Sequence, residues 1–109
     1  MVGITVKRNA LKLPVGFRSE GHADFDDEGR DIICAAVSVL ELNLANSVAE
    51  FTDARFSCQI GEDTGTFEFL LADREDEKAA LLLDSCLLGM ESIRQQYGSN
   101  YLQITDQEV

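Results

Sequence analysis

The feature of this sequence that most constrains its fold is a long apolar segment without glycine or proline, from Asp31 to Phe51. Its apolar residues recur at steps of three and four, which is the spacing of one face of an α-helix. They are Ile33, Val37, Leu40, Leu44 and Val48. Because the chain has 109 residues, we predict that this buried helix belongs to a single domain with one core, spanning residues 1–109.

Segments of alternating apolar and polar residues predict strands on both sides of this helix. Strands are expected at 3–9, 14–23 and 101–107, and a hairpin at 55–72 with its turn between Glu62 and Gly65. A second apolar helix is expected at 74–98, with acidic residues in its first turn and Gly98 just past its end. The order ββαββαβ predicts an α+β fold of two layers, with two helices packed on one face of a mixed or antiparallel sheet.

The balance of charge limits the classes of partner. Twenty acidic and nine basic residues give a formal charge of −11, which would repel a phosphate backbone and attract a basic protein or peptide. No direct nucleic-acid partner is therefore expected. We also expect no membrane partner, since no apolar run approaches the roughly 20 residues that a span needs. The first residues lack a signal peptide's apolar core, and an odd number of cysteines, three, fits a reducing, cytoplasmic location.

The segment before the long helix brings together the chain's histidine, His22, and a cysteine twelve residues later, Cys34. If Asp31 caps the helix, Cys34 lies in its first turn, where unpaired N–H groups and the helix dipole stabilise a thiolate. Gly21 and Gly29 bracket the segment and would let it fold back, so that His22 approaches the sulfur. A thiolate beside an imidazole is a nucleophile and base pair. By spacing alone, a buried cysteine and a surface histidine are the commoner explanation.

Two neighbouring features have both a structural and a functional interpretation. Ser38 lies one turn after Cys34, where its hydroxyl either bonds a carbonyl of its own helix or orients His22 or a substrate carbonyl. The acidic segment is either a solvated turn or a flap that attracts a basic substrate and closes on it. Its acidic residues are Asp24, Asp26, Asp27 and Glu28.

Metal sites are not expected. The acidic segment follows the first positions of a calcium-binding EF-hand loop, but the twelfth position, which needs a bidentate acid, is Ala35. His22 and the three cysteines could supply four zinc ligands, yet no two cysteines have the C-x₂₋₄-C spacing that preorganises zinc. We interpret Cys58 and Cys86 as core residues. The sequence therefore predicts neither a metal ion nor a cofactor.

With these residues in view, the segment "GHADFDDEGRDIICAAVS" resembles the signature of the ribosomal-processing cysteine protease family, Prp. That signature is Gly-His-Ala, a short variable loop with a late glycine, and then Gly-x-Asp-aliphatic-aliphatic-Cys-Ala-Ala-Val-Ser. The length, the acidity and the order of elements also fit across nearly the whole chain. The matching positions are Gly21, His22, Ala23, Gly29, Asp31, Cys34, Ala35, Ala36, Val37 and Ser38.

The resemblance implies a small α+β homodimer and a cysteine endopeptidase, a hydrolase of the thiol protease class. Such an enzyme removes the N-terminal extension of a basic large-subunit ribosomal protein during ribosome assembly, and family substrates are cut after an aromatic pair. Cys34 would be the nucleophile and His22 the general base. Gly21 would be a hinge, and Asp31 and Ser38 would be supports, with Asp31 either capping the helix or orienting His22.

A function of another class also fits the sequence. The chain could be a catalytically silent, ribosome-associated binding module that uses its acidic loop to hold a basic peptide tail. The presence of both His22 and Cys34 favours the enzyme, because binding needs neither.

Overall fold

The computed structural model describes residues 1–21, 28–61 and 64–109, and of residues 28–31 it describes the backbone. The predicted order of elements, ββαββαβ, is confirmed. The elements are β1 (Val2–Arg8), β2 (Pro14–Glu20), α1 (Glu28–Phe51), β3 (Phe56–Gly61), β4 (Thr66–Leu71), α2 (Glu77–Tyr97) and β5 (Leu102–Glu108).

In the described part of the chain, five strands form one mixed sheet in the order β3-β4-β2-β1-β5. Neighbouring strands are antiparallel except β1 and β5, which run parallel with Ile4 opposite Ile104. Parallel pairing requires a crossover, and α2 supplies it by carrying the chain from β4 across the sheet to the outer edge of β1. The predicted two-layer α+β architecture with a mixed sheet is therefore confirmed.

The core lies between one face of this sheet and the two helices named above. Alternation along each strand sends every second side chain to that face, where the largest fully buried ones are Phe17 and Phe69. Phe56 stacks on Phe69 with ring centroids 5.2 Å apart, and Phe17 and Phe67 approach to 5.7 Å. Burying one such side chain contributes about 1.5–3 kcal/mol. The helices contribute buried residues at the predicted spacing, namely Ile33, Val37, Leu44, Val48, Leu83 and Met90.

The ends of α2 show why it is shorter than predicted. Asp76 is its N-cap, and the carboxylate accepts hydrogen bonds from the backbone N–H groups of Lys78 and Ala79. Arg74, expected inside the helix, lies before it and pairs with Asp84 at 2.8 Å while also donating to a β2 carbonyl. The helix ends where the sequence predicted, because the N–H of Gly98 bonds the carbonyl of residue 94.

The apolar character of α1 exceeds what the sequence analysis expected. Residues Ile32–Phe51 form a run of 20 residues with a mean hydropathy of 1.7, which is long and apolar enough to cross a membrane. We expected no apolar run of about 20 residues, and this expectation is wrong, because Ile32–Phe51 has both the length and the composition of such a run. A core helix of a globular domain meets the same criteria, and α1 packs on α2 and contributes to the core. Four large apolar side chains of α1 are nevertheless exposed, namely Ile32, Val39, Leu42 and Phe51.

Candidate active site

One face of α1 carries the predicted nucleophile and opens into a groove. Cys34, Ser38 and Glu41 follow one another at steps of four and three, so they share this face. All three line a groove of about 360 Å³ between α1 and strands β2, β3 and β4. Cys34 is half-buried, Ser38 is exposed and Glu41 is buried. The structure thus brings Cys34 and Ser38 to one groove, while their predicted roles as nucleophile and support stay predictions.

The opposite wall of the groove is largely apolar. Ile60 of β3 and Phe67 of β4 face each other in the register of the hairpin, and both line the groove. Leu42 of α1 continues the apolar lining on the near side. A cleft with apolar walls and a thiol at its edge can hold apolar side chains of a peptide while presenting a backbone carbonyl to the sulfur.

Gly21 joins β2 to the segment that leads to His22, and its backbone requires glycine. Its φ is +141°, a value that residues with a side chain rarely adopt. A Cβ at this position would overlap the carbonyl oxygen of Met1 and lie 2.9 Å from the Cα of Val2. The glycine therefore allows the close approach to the N-terminal strand, and it also lines the groove. Its predicted role as a hinge stays a prediction.

The structure corrects the predicted start of the first helix. α1 begins at Glu28, so Asp31 lies inside the helix and the prediction that it is the N-cap is wrong. Cys34 is consequently in the second turn and not the first. Because the influence of a helix dipole falls off within its first turn, this source of thiolate stabilisation is weaker than the sequence analysis assumed. Orientation of His22 remains the predicted role for Asp31.

Several predicted site residues lie outside the described residues. They are His22, Asp24, Asp26 and Asp27, while Glu28 and Asp31 are described by their backbone positions in α1. Their predicted roles as general base, acidic flap and support stay predictions. In the described ranges 1–21, 28–61 and 64–109, no group of three or more histidine, cysteine or acidic side chains could hold a metal ion.

The other two cysteines differ from each other. Cys86 is buried in α2, as predicted, with its thiol 3.6 Å from the Leu40 carbonyl, and burial raises its pKa to about 12. Cys58 lies on the helix-bearing face of β3, opposite Phe69, but it is exposed, so the prediction that it packs in the core is wrong. The reason is that β3 is an edge strand which the helices do not cover. Partial burial, and then the charge of Glu41, raise the pKa of the Cys58 thiol.

Glu41 is the residue of this groove that the sequence analysis missed. Its side chain is buried and accepts a hydrogen bond from the hydroxyl of Ser19, a buried residue of β2. Burial raises the pKa of this carboxyl from 4.5 to about 7, and the hydrogen bond from Ser19 partly opposes that shift. The available signal was an acidic residue in an apolar helix, seven positions after Cys34 and therefore on the same face.

Replacing Gly21 with alanine is expected to lower the free energy of unfolding by about 2–3 kcal/mol, because the new Cβ combines an unfavourable φ with a clash against β1. The matched control is Gly98→Ala, where φ is +100° but nothing lies within 4 Å of the added atom. That change should cost less, about 1–2 kcal/mol, because only the backbone at φ +100° and ψ 162° is strained. Urea unfolding measures both, and equal costs would contradict a close approach at Gly21.

Comparison with known proteins identifies similar chains over nearly the full length. The family model "Cysteine protease Prp" matches residues 1–102. The chain is 31% identical over 104 residues to the ribosomal processing cysteine protease Prp of Bacillus subtilis. The alignment covers 92% of this chain and 93% of that protein.

Solved structures give the same picture of the fold. The crystal structure of the ribosomal processing protease Prp from S. aureus with a substrate peptide superposes with a TM-score of 0.90 at 21% identity, over 98% of this chain and 100% of that one. The same S. aureus protease with a covalently linked product peptide gives a TM-score of 0.86 at 22% identity, with the same coverage. At these identities the structures establish a shared fold.

Proposed function

Because the chain belongs to the cysteine protease Prp family, and is thus a hydrolase, we propose that it removes the N-terminal extension of a basic large-subunit ribosomal protein during ribosome assembly. The observation that carries this proposal is the position of Cys34 at the edge of a groove with apolar walls. A groove of about 360 Å³ has room for a few side chains of an extended peptide. Apolar walls suit the aromatic pair after which the family's substrates are cut.

The proposed mechanism is nucleophilic catalysis through a thioester. The Cys34 thiolate attacks the scissile carbonyl, the C–N bond breaks, and protonated His22 gives its proton to the leaving amine. The amine is the new N-terminus of the ribosomal protein. Water, deprotonated by His22, then cleaves the thioester and releases the extension as an acid. The covalently linked product peptide of the S. aureus relative is consistent with such a route.

Intact-mass measurement tests this proposal directly. The purified protein is incubated with the ribosomal protein of its own host, and a shorter product should appear with wild-type protein and not with Cys34→Ala. An unchanged mass together with retained binding would overturn the enzyme and support the alternative, a module that holds a basic peptide tail. The net charge of −11 favours capture of a basic partner in either case.

The proposed location is the cytoplasm, because a ribosomal protein is made and assembled there. The odd number of cysteines, three, is typical of a reducing compartment. Cell fractionation should recover the protein with the soluble and ribosomal fractions, and recovery from a membrane fraction would contradict this location.

We further propose that two copies associate through an apolar stripe on α1, defined by Ile32, Val39 and Leu42. These side chains recur at steps of seven and three, so they lie on one face, and they are 53%, 66% and 51% exposed. Monomers rarely leave such a stripe in water. In a dimer with two-fold symmetry, the stripe of one copy can pack against the same stripe of the other copy. The homodimer that the family resemblance implies would therefore bury this stripe.

Light scattering at micromolar concentration is expected to give twice the mass of one chain. Val39→Asp should reduce the mass to that of a monomer, since it places a charge in the centre of the stripe. Leu81→Asp is the matched control, because Leu81 is equally exposed, at 69%, but lies on α2 away from the stripe. A monomeric wild type, or dissociation by both variants, would contradict this interface.

A further inference from the structure

The described part of the chain places a buried carboxyl in the groove that contains Cys34, and the proposed peptide cleavage does not use it. Glu41 is 7% exposed, and Ser19, which donates a hydrogen bond to it, is 4% exposed. Both line the groove, although neither belongs to the nucleophile and base pair. A buried acid beside a substrate-sized cleft needs a reason, because burial of a carboxylate is costly unless a cation pairs with it.

No lysine or arginine is found among the described residues that line this groove. The charge of Glu41 raises the pKa values of two thiols, those of Cys58 on β3 and Cys86 on α2. The other acid among the described lining residues is Glu20, whose carboxylate lies 3.9 Å from the guanidinium of Arg18. The described residues therefore give Glu41 a hydroxyl as partner but no positive charge.

The helix sets the distance from Glu41 to the reacting sulfur. Seven residues at a rise of about 1.5 Å place Glu41 about 10 Å from Cys34 along the axis of α1. An extended peptide advances about 3.3 Å per residue. A peptide that lies along the groove with its scissile carbonyl at Cys34 therefore presents the side chain of a residue about three positions away to Glu41.

We propose that Glu41 and Ser19 form a specificity subsite that takes a basic side chain of the substrate, about three residues from the scissile bond. The lysine or arginine supplies the cation that the described lining residues do not provide, and a charge-assisted hydrogen bond to the carboxylate replaces the water lost on binding. The apolar residues around the carboxyl accept the aliphatic part of such a side chain. This inference rests on the proposed function, because it assumes that the groove binds a peptide.

The test uses peptides of the host ribosomal protein's cleavage region in which single positions carry either lysine or norleucine. Norleucine keeps the aliphatic chain and removes the charge. At one position about three residues from the scissile bond, the wild-type protein should favour lysine in kcat/KM by about ten-fold or more. Glu41→Gln should bring this ratio close to one. Glu50→Gln, an exposed acid on the same helix outside the groove, should preserve it.

Binding of the same peptides is also measured by fluorescence anisotropy. The Cys34→Ala variant is used, with and without Glu41→Gln, so that binding at the subsite is measured without cleavage. If binding favours lysine and Glu41→Gln abolishes this preference, the subsite is supported. If the protein with Cys34 intact also cuts none of the peptides, the proposed activity is overturned and the subsite is not. Equal affinity for lysine and norleucine at every position, or a preference that survives Glu41→Gln, would overturn the subsite while leaving the cleavage reaction standing.

Discussion

Replacing Cys34 with alanine or serine is expected to lower cleavage of the ribosomal-protein substrate by more than about 1,000-fold, because the thiolate forms the covalent intermediate. A serine hydroxyl is a far weaker nucleophile without a matched base. Stability should change little, by about 1 kcal/mol, since Cys34 is only half-buried and packs against the core without being one of its buried residues. Intact mass after incubation measures cleavage, and urea unfolding measures stability.

The other two cysteines provide the control for this prediction. Cys58 is exposed and Cys86 is buried, and the pKa of each thiol is raised, so both should remain largely protonated near pH 6.5. Brief treatment with iodoacetamide should therefore modify Cys34 first and inactivate in proportion. Cys58→Ser should retain activity. Equal labelling of the three cysteines in a tryptic map, or full cleavage by Cys34→Ser, would remove Cys34 from the role of nucleophile.

Glu41→Gln is expected to stabilise the fold at pH 8 by up to about 3 kcal/mol, with little effect near pH 4. In the folded protein burial raises the pKa of Glu41 to about 7, against 4.5 for the free side chain. The folded state therefore binds the proton more tightly than the unfolded state does. The stabilisation that this proton gives to the fold is complete below pH 4.5 and is lost as the pH rises through 7. Glutamine keeps the shape and does not ionise, so the variant escapes that loss.

Urea unfolding at pH 4 and pH 8, at one protein concentration, checks this prediction. The concentration is held constant because dissociation of a dimer would also shift the midpoint. Glu50→Gln is the matched control, since it removes an equal charge from the exposed end of the same helix. A stabilisation of the same size at both pH values would contradict the prediction, because the difference in free energy of unfolding would then come from packing and not from ionisation of Glu41.

Sequence reasoning succeeded where the physical signal is local. Apolar spacing of three and four residues located both helices, alternation located the strands, and Gly98 marked the end of α2. It failed at the start of α1, where four aspartates stand within eight residues and each can cap a helix. Asp31 was the wrong choice among them, because the helix begins three residues earlier.

The remaining errors concern residues whose surroundings depend on distant parts of the chain. Alternation correctly placed Cys58 on the same face of the hairpin as Phe69. Whether that face is covered depends on the order of strands, and β3 lies at an edge that the helices leave open. Glu41 is buried because β2 passes beneath it with Ser19, a contact between residues 22 positions apart. Neither fact is visible in a local pattern.

The parallel pairing of β1 with β5 bears on when the molecule can mature during its synthesis. β1 is synthesised about a hundred residues before its outer neighbour β5, with Val2 opposite Leu102 and the N–H of Val109 bonded to the carbonyl of Arg8. Contacts between such distant residues form late and slowly. Val2 also lines the groove of Cys34, against Gly21. A nascent chain therefore gives β1 its outer partner only after residues 102–109 have left the ribosome that makes it.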